Sequence, residues 1–127
     1  MKIAYLIFRI LMGVLFLFSS ITFLLNLITP PETTGALKTF NDGMKASVYL
    51  MHTVKIVELI CGIAFVTNRF VPLASVIISP IIVNIFFVHV FLAREGLPVA
   101  IFLICANSVL AYKNWDIYKP LFKIKED

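Results

Sequence analysis

The run HTVKIVELICG at residues 52–62 carries a histidine, a lysine and a glutamate at three-residue spacing in apolar surroundings. At 100° per residue, Met51, His52, Lys55, Glu58, Leu59 and Gly62 fall within about 120° of a helix circumference. The polar groups share a stripe, and the stripe is expected to face a bundle interior. An imidazole, an ammonium and a carboxylate in one stripe suit an ion pair, a proton relay or a bed for a ligand headgroup such as a quinone carbonyl. Arg9, Asn84 and Asn107 are further polar groups inside apolar runs. A charge at a bilayer centre costs at least about 2.5 kcal/mol, so each charged group needs a partner.

Depth suggests one. Glu58 lies about 14 Å from the end of its expected helix, and Arg9 about 8 Å into the first helix. The expected contact is a bidentate Arg9–Glu58 pair between antiparallel neighbours, with Glu58 ionised. Lys55 is placed to share the carboxylate from one turn away. The pair reads either as a clasp fixing helix register or as part of a polar pocket. Asn84 lies nearly above Pro80, which is expected to kink its helix, and both asparagines suit hydrogen bonds between helices. His89 is about 140° round from Asn84, so the two are not expected to share a narrow pocket. His89 is instead expected near the outer surface, hydrated or interfacial. No metal site is assigned, since His52 and His89 have no carboxylate or thiol set beside them. Cys61 and Cys105 are single and far apart in sequence, which speaks against dithiol redox chemistry.

The elements that must position these groups follow from composition. Of the 127 residues, 61% are hydrophobic and 14% charged, with a mean hydropathy of +0.99. Soluble domains carry about 25% charged residues, so the class expected is an all-α polytopic membrane protein. Four apolar stretches predict a bundle of four transmembrane helices in a single domain over residues 1–127. Their expected bounds are about 4–28, 46–67, 70–93 and 97–115, given the roughly 20 residues that a span requires. Pro30 and Pro31 are expected to stop the first helix, and Thr33 or Thr34 to cap a short piece after it. In that first outer loop Ala36, Leu37, Phe40 and Met44 recur at helical spacing, with Lys38, Asn41 and Asp42 off the face. They predict a short amphipathic segment on the membrane surface.

The first stretch is too long for a signal peptide and carries Arg9, so it is read as a retained helix. Lys2, Arg69, Lys113, Lys119, Lys123 and Lys125 fall on one side of a four-span topology, against Lys38, Lys45 and Arg94 on the other. That bias predicts both termini in the cytoplasm. The formal net charge of +4 is explained by this topology and does not indicate nucleic-acid binding, because there is no soluble basic domain to carry it.

RILMGVLFLFSS at 9–20 resembles the opening of the DoxX family, with an arginine followed by glycine and phenylalanine four and seven residues on. VELICGIAFVTNR at 57–69 resembles that family's second-helix pattern, and His89 fits a histidine late in helix three. Ser20 and Phe23 stand where the family often has glycine and lysine. The resemblance implies a small protein of the bacterial inner membrane, accessory to membrane redox chemistry and without independent catalysis. It implies a quinone as the cofactor-like ligand, and the lipid bilayer and a redox or other multi-subunit complex as partners. The sequence keeps two other readings open, a small transporter or proton pathway and a purely structural subunit.

Overall fold

Each helix is long where the sequence is continuously apolar and ends where a residue takes the backbone out of the helical region. The computed structural model describes residues 2–27 and 33–124. Its elements are α1 (Lys2–Leu24), α2 (Gly35–Ala46), α3 (Leu50–Thr67), α4 (Val71–Phe91), α5 (Leu97–Lys113) and α6 (Trp115–Tyr118). Short 3-10 turns cover Arg94–Gly96 and Lys119–Phe122. Among the described residues, four helical segments are long and apolar enough to cross a membrane: Lys2–Leu24, Leu50–Thr67, Val71–Phe91 and Arg94–Lys113. The predicted all-α membrane bundle is therefore present, with several bounds moved.

α1 stops at Leu24 rather than near residue 28, because Asn26 adopts a left-handed φ of 53°. Asparagine tolerates that region better than most residues. The Leu27 amide then turns back to the Thr22 carbonyl. The expected stop at Pro30 and Pro31 lies outside the described residues. α3 starts at Leu50, not 46, because Ser47 ends α2 and its hydroxyl accepts the Leu50 amide at 3.1 Å. Asn68, at φ 58°, closes α3. Pro72 and Pro98 sit in the first turns of α4 and α5, where the missing N–H costs nothing. The last span ends at Lys113. Trp115, expected inside it, opens α6 after Asn114 turns its amide onto the Leu110 carbonyl.

The amphipathic segment forms α2. Thr34 occupies its N-cap position without a side-chain cap bond. Its covered face is Leu37, Phe40, Asn41 and Met44, while Ala36 is exposed. Asn41, expected off that face, belongs to it, and the Lys38–Asp42 pair at 3.3 Å faces outward.

The spanning helices form a closed antiparallel ring. α1 packs on α3, α3 on α4, α4 on α5, and α5 back on α1. The core is a column of Met12, Phe16, Cys61, Phe65, Ile78, Leu103 and Leu110. The α1 and α3 backbones approach closely at Gly13 and Gly62. A Cβ on Gly13 would stand 3.1 Å from the Gly62 carbonyl oxygen, and one on Gly62 would stand 3.1 Å from that of Gly13. Small residues that let backbones meet are a usual device of membrane helices. Large apolar side chains such as Leu6, Val14, Phe18, Ile60, Leu73 and Phe87 cover the outside. That surface meets the lipid bilayer.

Candidate intramembrane site

The Gly13–Gly62 contact fixes how α1 and α3 slide past each other. It sets Glu58 level with Leu17, Lys55 with Ser20, and Arg9 with Val66. Arg9 and Glu58 are then about 12 Å apart along the bundle. The expected Arg9–Glu58 pair does not form, because register puts the two groups at different depths. The layer of Met12, Phe16, Cys61 and Phe65 packs between them.

Arg9 has another role. It is 7% exposed, and its Nη1 donates to the Phe65 carbonyl oxygen at 2.7 Å. Phe65 lies in the last turn of α3, where carbonyls lack partners within the helix. The Arg69 amide, which would have served it, goes to Ala64 instead. The guanidinium thus caps a neighbouring helix at the negative end of its dipole.

Glu58, 3% exposed, is held from its own helix. Lys55 Nζ lies 3.3 Å from Glu58 Oε2 and donates to Ser19 Oγ at 2.7 Å. The i,i+3 contact anticipated from spacing is present. The Ser19 contact could not be read from the sequence, because it depends on the α1–α3 register. The ammonium also lies 5.8 Å from the centre of the Phe23 ring.

This pair is not sealed. A cavity of about 460 Å³ opens between α3 and α4 beneath α2. Its polar lining is Asn41, Lys55, Glu58, Asn84 and His89; Phe40, Met44, Leu50, Met51, Ile81 and Ile85 supply much of its apolar wall. A second cavity of about 340 Å³ lies among α1, α3, α4 and α5. Lys55, Glu58, Ile85 and His89 border both.

Asn84 and His89 therefore share a cavity, against the expectation from their angular separation. The cavity is wide: its lining on α4 runs from Pro80 to His89 and spans about 180° of the helix. His89 is partly buried, and its Nδ1 lies 3.0 Å from the Ala93 carbonyl oxygen. Its place was missed because the return of the chain at Ala93–Gly96 folds against the ring.

The other predicted residues lie elsewhere. His52 is exposed and meets the edge of Phe23 at 5.5 Å. It stands about 120° round from Glu58, far enough to leave the interior for the α1 flank. Asn107 joins α5 to α4 through Ser79 Oγ at 3.1 Å and the Ser75 carbonyl at 3.4 Å. It lines a separate cavity of about 290 Å³ beside Trp115 and Phe122. Of the six residues singled out, Lys55, Glu58 and Asn84 come together, whereas Arg9, His52 and Asn107 stand apart. Cys61 is buried with its Sγ 3.8 Å from the Ala74 carbonyl, and Cys105 is exposed.

A ring of apolar helices with a charged, open cavity between two of them defines a small multi-pass membrane protein. The profile of the DoxX family matches residues 4–90, from α1 to the last turn of α4. The chain belongs to the DoxX family. No curated protein and no solved structure matches it significantly.

Proposed function

We propose that this DoxX-family chain binds an amphipathic ligand, a quinone foremost and a lipid headgroup second, beside Lys55 and Glu58. In this reading it is an accessory protein of membrane redox chemistry with no independent catalysis, working with a redox or other multi-subunit complex. One observation carries the reading: the Lys55–Glu58 pair, with its carboxylate buried, forms the wall of an open cavity instead of being closed between helices. The volume of about 460 Å³ lies in the range of small-molecule sites. Lys55 has protons for a carbonyl oxygen, Asn84 has a free amide, and the apolar wall suits a tail.

The proton-pathway reading is less well supported, since a packed apolar layer separates Arg9 from the cavity. The bacterial inner membrane, with both termini in the cytoplasm, is the location that fits the family and the basic residues at the ends of α1, α3 and α5.

Native mass spectrometry of the full chain in nanodiscs loaded with decylubiquinone tests the binding. Ile85→Trp fills the border between the two cavities and should abolish the bound quinone, whereas Lys55→Met, which removes a donor to the carbonyl oxygen, should weaken it about tenfold, the loss of roughly 1.4 kcal/mol. Equal occupancy in wild type and Ile85→Trp would refute the site.

A further inference from the structure

We infer that His89 is a second holding point of this cavity, and that its free Nε2 favours a hydroxyl-bearing ring, a hydroquinone, over the oxidised quinone. The inference rests on the ligand binding proposed above.

The argument begins with the tautomer. His89 Nδ1 lies 3.0 Å from the Ala93 carbonyl oxygen. A carbonyl only accepts, so Nδ1 carries the proton. In the neutral ring Nε2 then presents a lone pair, and the partner of one ring nitrogen decides the role of the other. Nε2 has no hydrogen-bond partner among the described residues and is not among the sealed polar atoms. His89 borders both cavities together with Lys55 and Glu58.

Gly96 keeps the ring in place by leaving room for it. A Cβ there would stand 2.4 Å from His89 Cε1 and 2.6 Å from Nδ1. The Gly96 backbone is at φ −91°, open to any residue. What the position lacks is space, not conformational freedom. The imidazole is therefore seated by two features of the Ala93–Gly96 return, a carbonyl that orients it and a missing side chain that admits it.

A ligand must complement an acceptor at Nε2. Both hydroquinone hydroxyls can donate, whereas both quinone oxygens only accept, and a carbonyl facing the Nε2 lone pair is repelled. Glu58 adds acceptor capacity, while Lys55 and Asn84 donate to the ring's remaining lone pairs. The cavity as built thus has acceptors that the quinone leaves unanswered and the hydroquinone satisfies. A buried polar group left unpaired is what gives a site strong discrimination between such analogues.

The test uses the full chain in nanodiscs with decylubiquinol kept anaerobic, against decylubiquinone. Affinities are measured alongside nitrogen-15 NMR of labelled histidine, which reports only His52 and His89. Wild type should bind the reduced ring about tenfold more tightly or better, with one Nε2 resonance moving on binding. His89→Leu should remove both the preference and that resonance, and His52→Gln should leave both intact. Gly96→Ala keeps the imidazole but displaces it, and should also erase the preference, so the test does not depend on His89→Leu folding. A stationary His89 resonance, or a preference unchanged in both variants, overturns the role of His89. Equal binding of both rings to wild type overturns the selectivity while leaving the cavity proposal standing. Binding of neither ring removes the cavity proposal and this inference together.

Discussion

Arg9 and Glu58 are both ionisable residues deep in apolar helices, yet their neighbours give them different work. Arg9 answers a helix-end carbonyl, and Glu58 answers a lysine on the wall of a cavity. The difference is measurable by double-mutant cycles on thermal unfolding in detergent. Arg9→Met should cost about 1.5–3 kcal/mol, as expected for a lost charged hydrogen bond. Combined with Glu58→Met, the effects should add to within about 0.5 kcal/mol, because the sites are far apart and share no partner. Lys55→Met with Glu58→Met should be plainly non-additive, since either change alone strands the other charge. Coupling between Arg9 and Glu58 above that margin would mean that the register described is wrong. Spacing alone made the Lys55–Glu58 contact legible, because three residues on one helix fix the geometry. The Ser19 contact and the Ala93 carbonyl over His89 were not legible, because both come from other parts of the chain.

The helices meet through two kinds of contact, close backbone approach and single polar anchors. Gly62→Leu should disrupt the α1–α3 seam by about 1–3 kcal/mol, the usual range for overpacking. A Cβ there already meets Leu17 Cγ at 3.0 Å as well as the Gly13 carbonyl oxygen. A matching loss of melting temperature in detergent would establish it, and an unchanged value would place the seam elsewhere. At the other contact, the Tyr118 hydroxyl donates to the Pro72 carbonyl at 2.6 Å and docks α6 on the first turn of α4. Burial pushes the Tyr118 phenol above its usual value. A raised folded-state pKa means that stability from the neutral phenol is complete below about pH 10, the unfolded value. It is lost as pH climbs through the folded value. Tyr118→Phe should therefore cost about 1 kcal/mol near neutrality, and its deficit against wild type should shrink above pH 10. Melting curves from pH 8 to 11 would show the convergence; a constant gap would contradict it.

For the whole molecule, large apolar side chains face outward along the spanning helices, so the bilayer is the solvent for most of its surface. The proposed orientation predicts that an impermeant maleimide added to intact cells labels Lys45→Cys but not Lys119→Cys. Both lysines are exposed, so accessibility on the chain does not bias the comparison. The reverse labelling would invert the topology. The sequence by itself determined the membrane class, the number of spans, the amphipathic α2 and the DoxX resemblance. All of these follow from local composition and from periodicity along one helix, which need no knowledge of neighbours. Only the tertiary structure decided which polar residues meet. The α1–α3 register is set by the backbone contact at Gly13 and Gly62, and it separates Arg9 from Glu58. The width of the gap between α3 and α4 brings Asn84 and His89 to one cavity. Helix sliding and rotation are continuous variables fixed by packing between segments distant in the chain, and for that reason a single strand of residues could not show them.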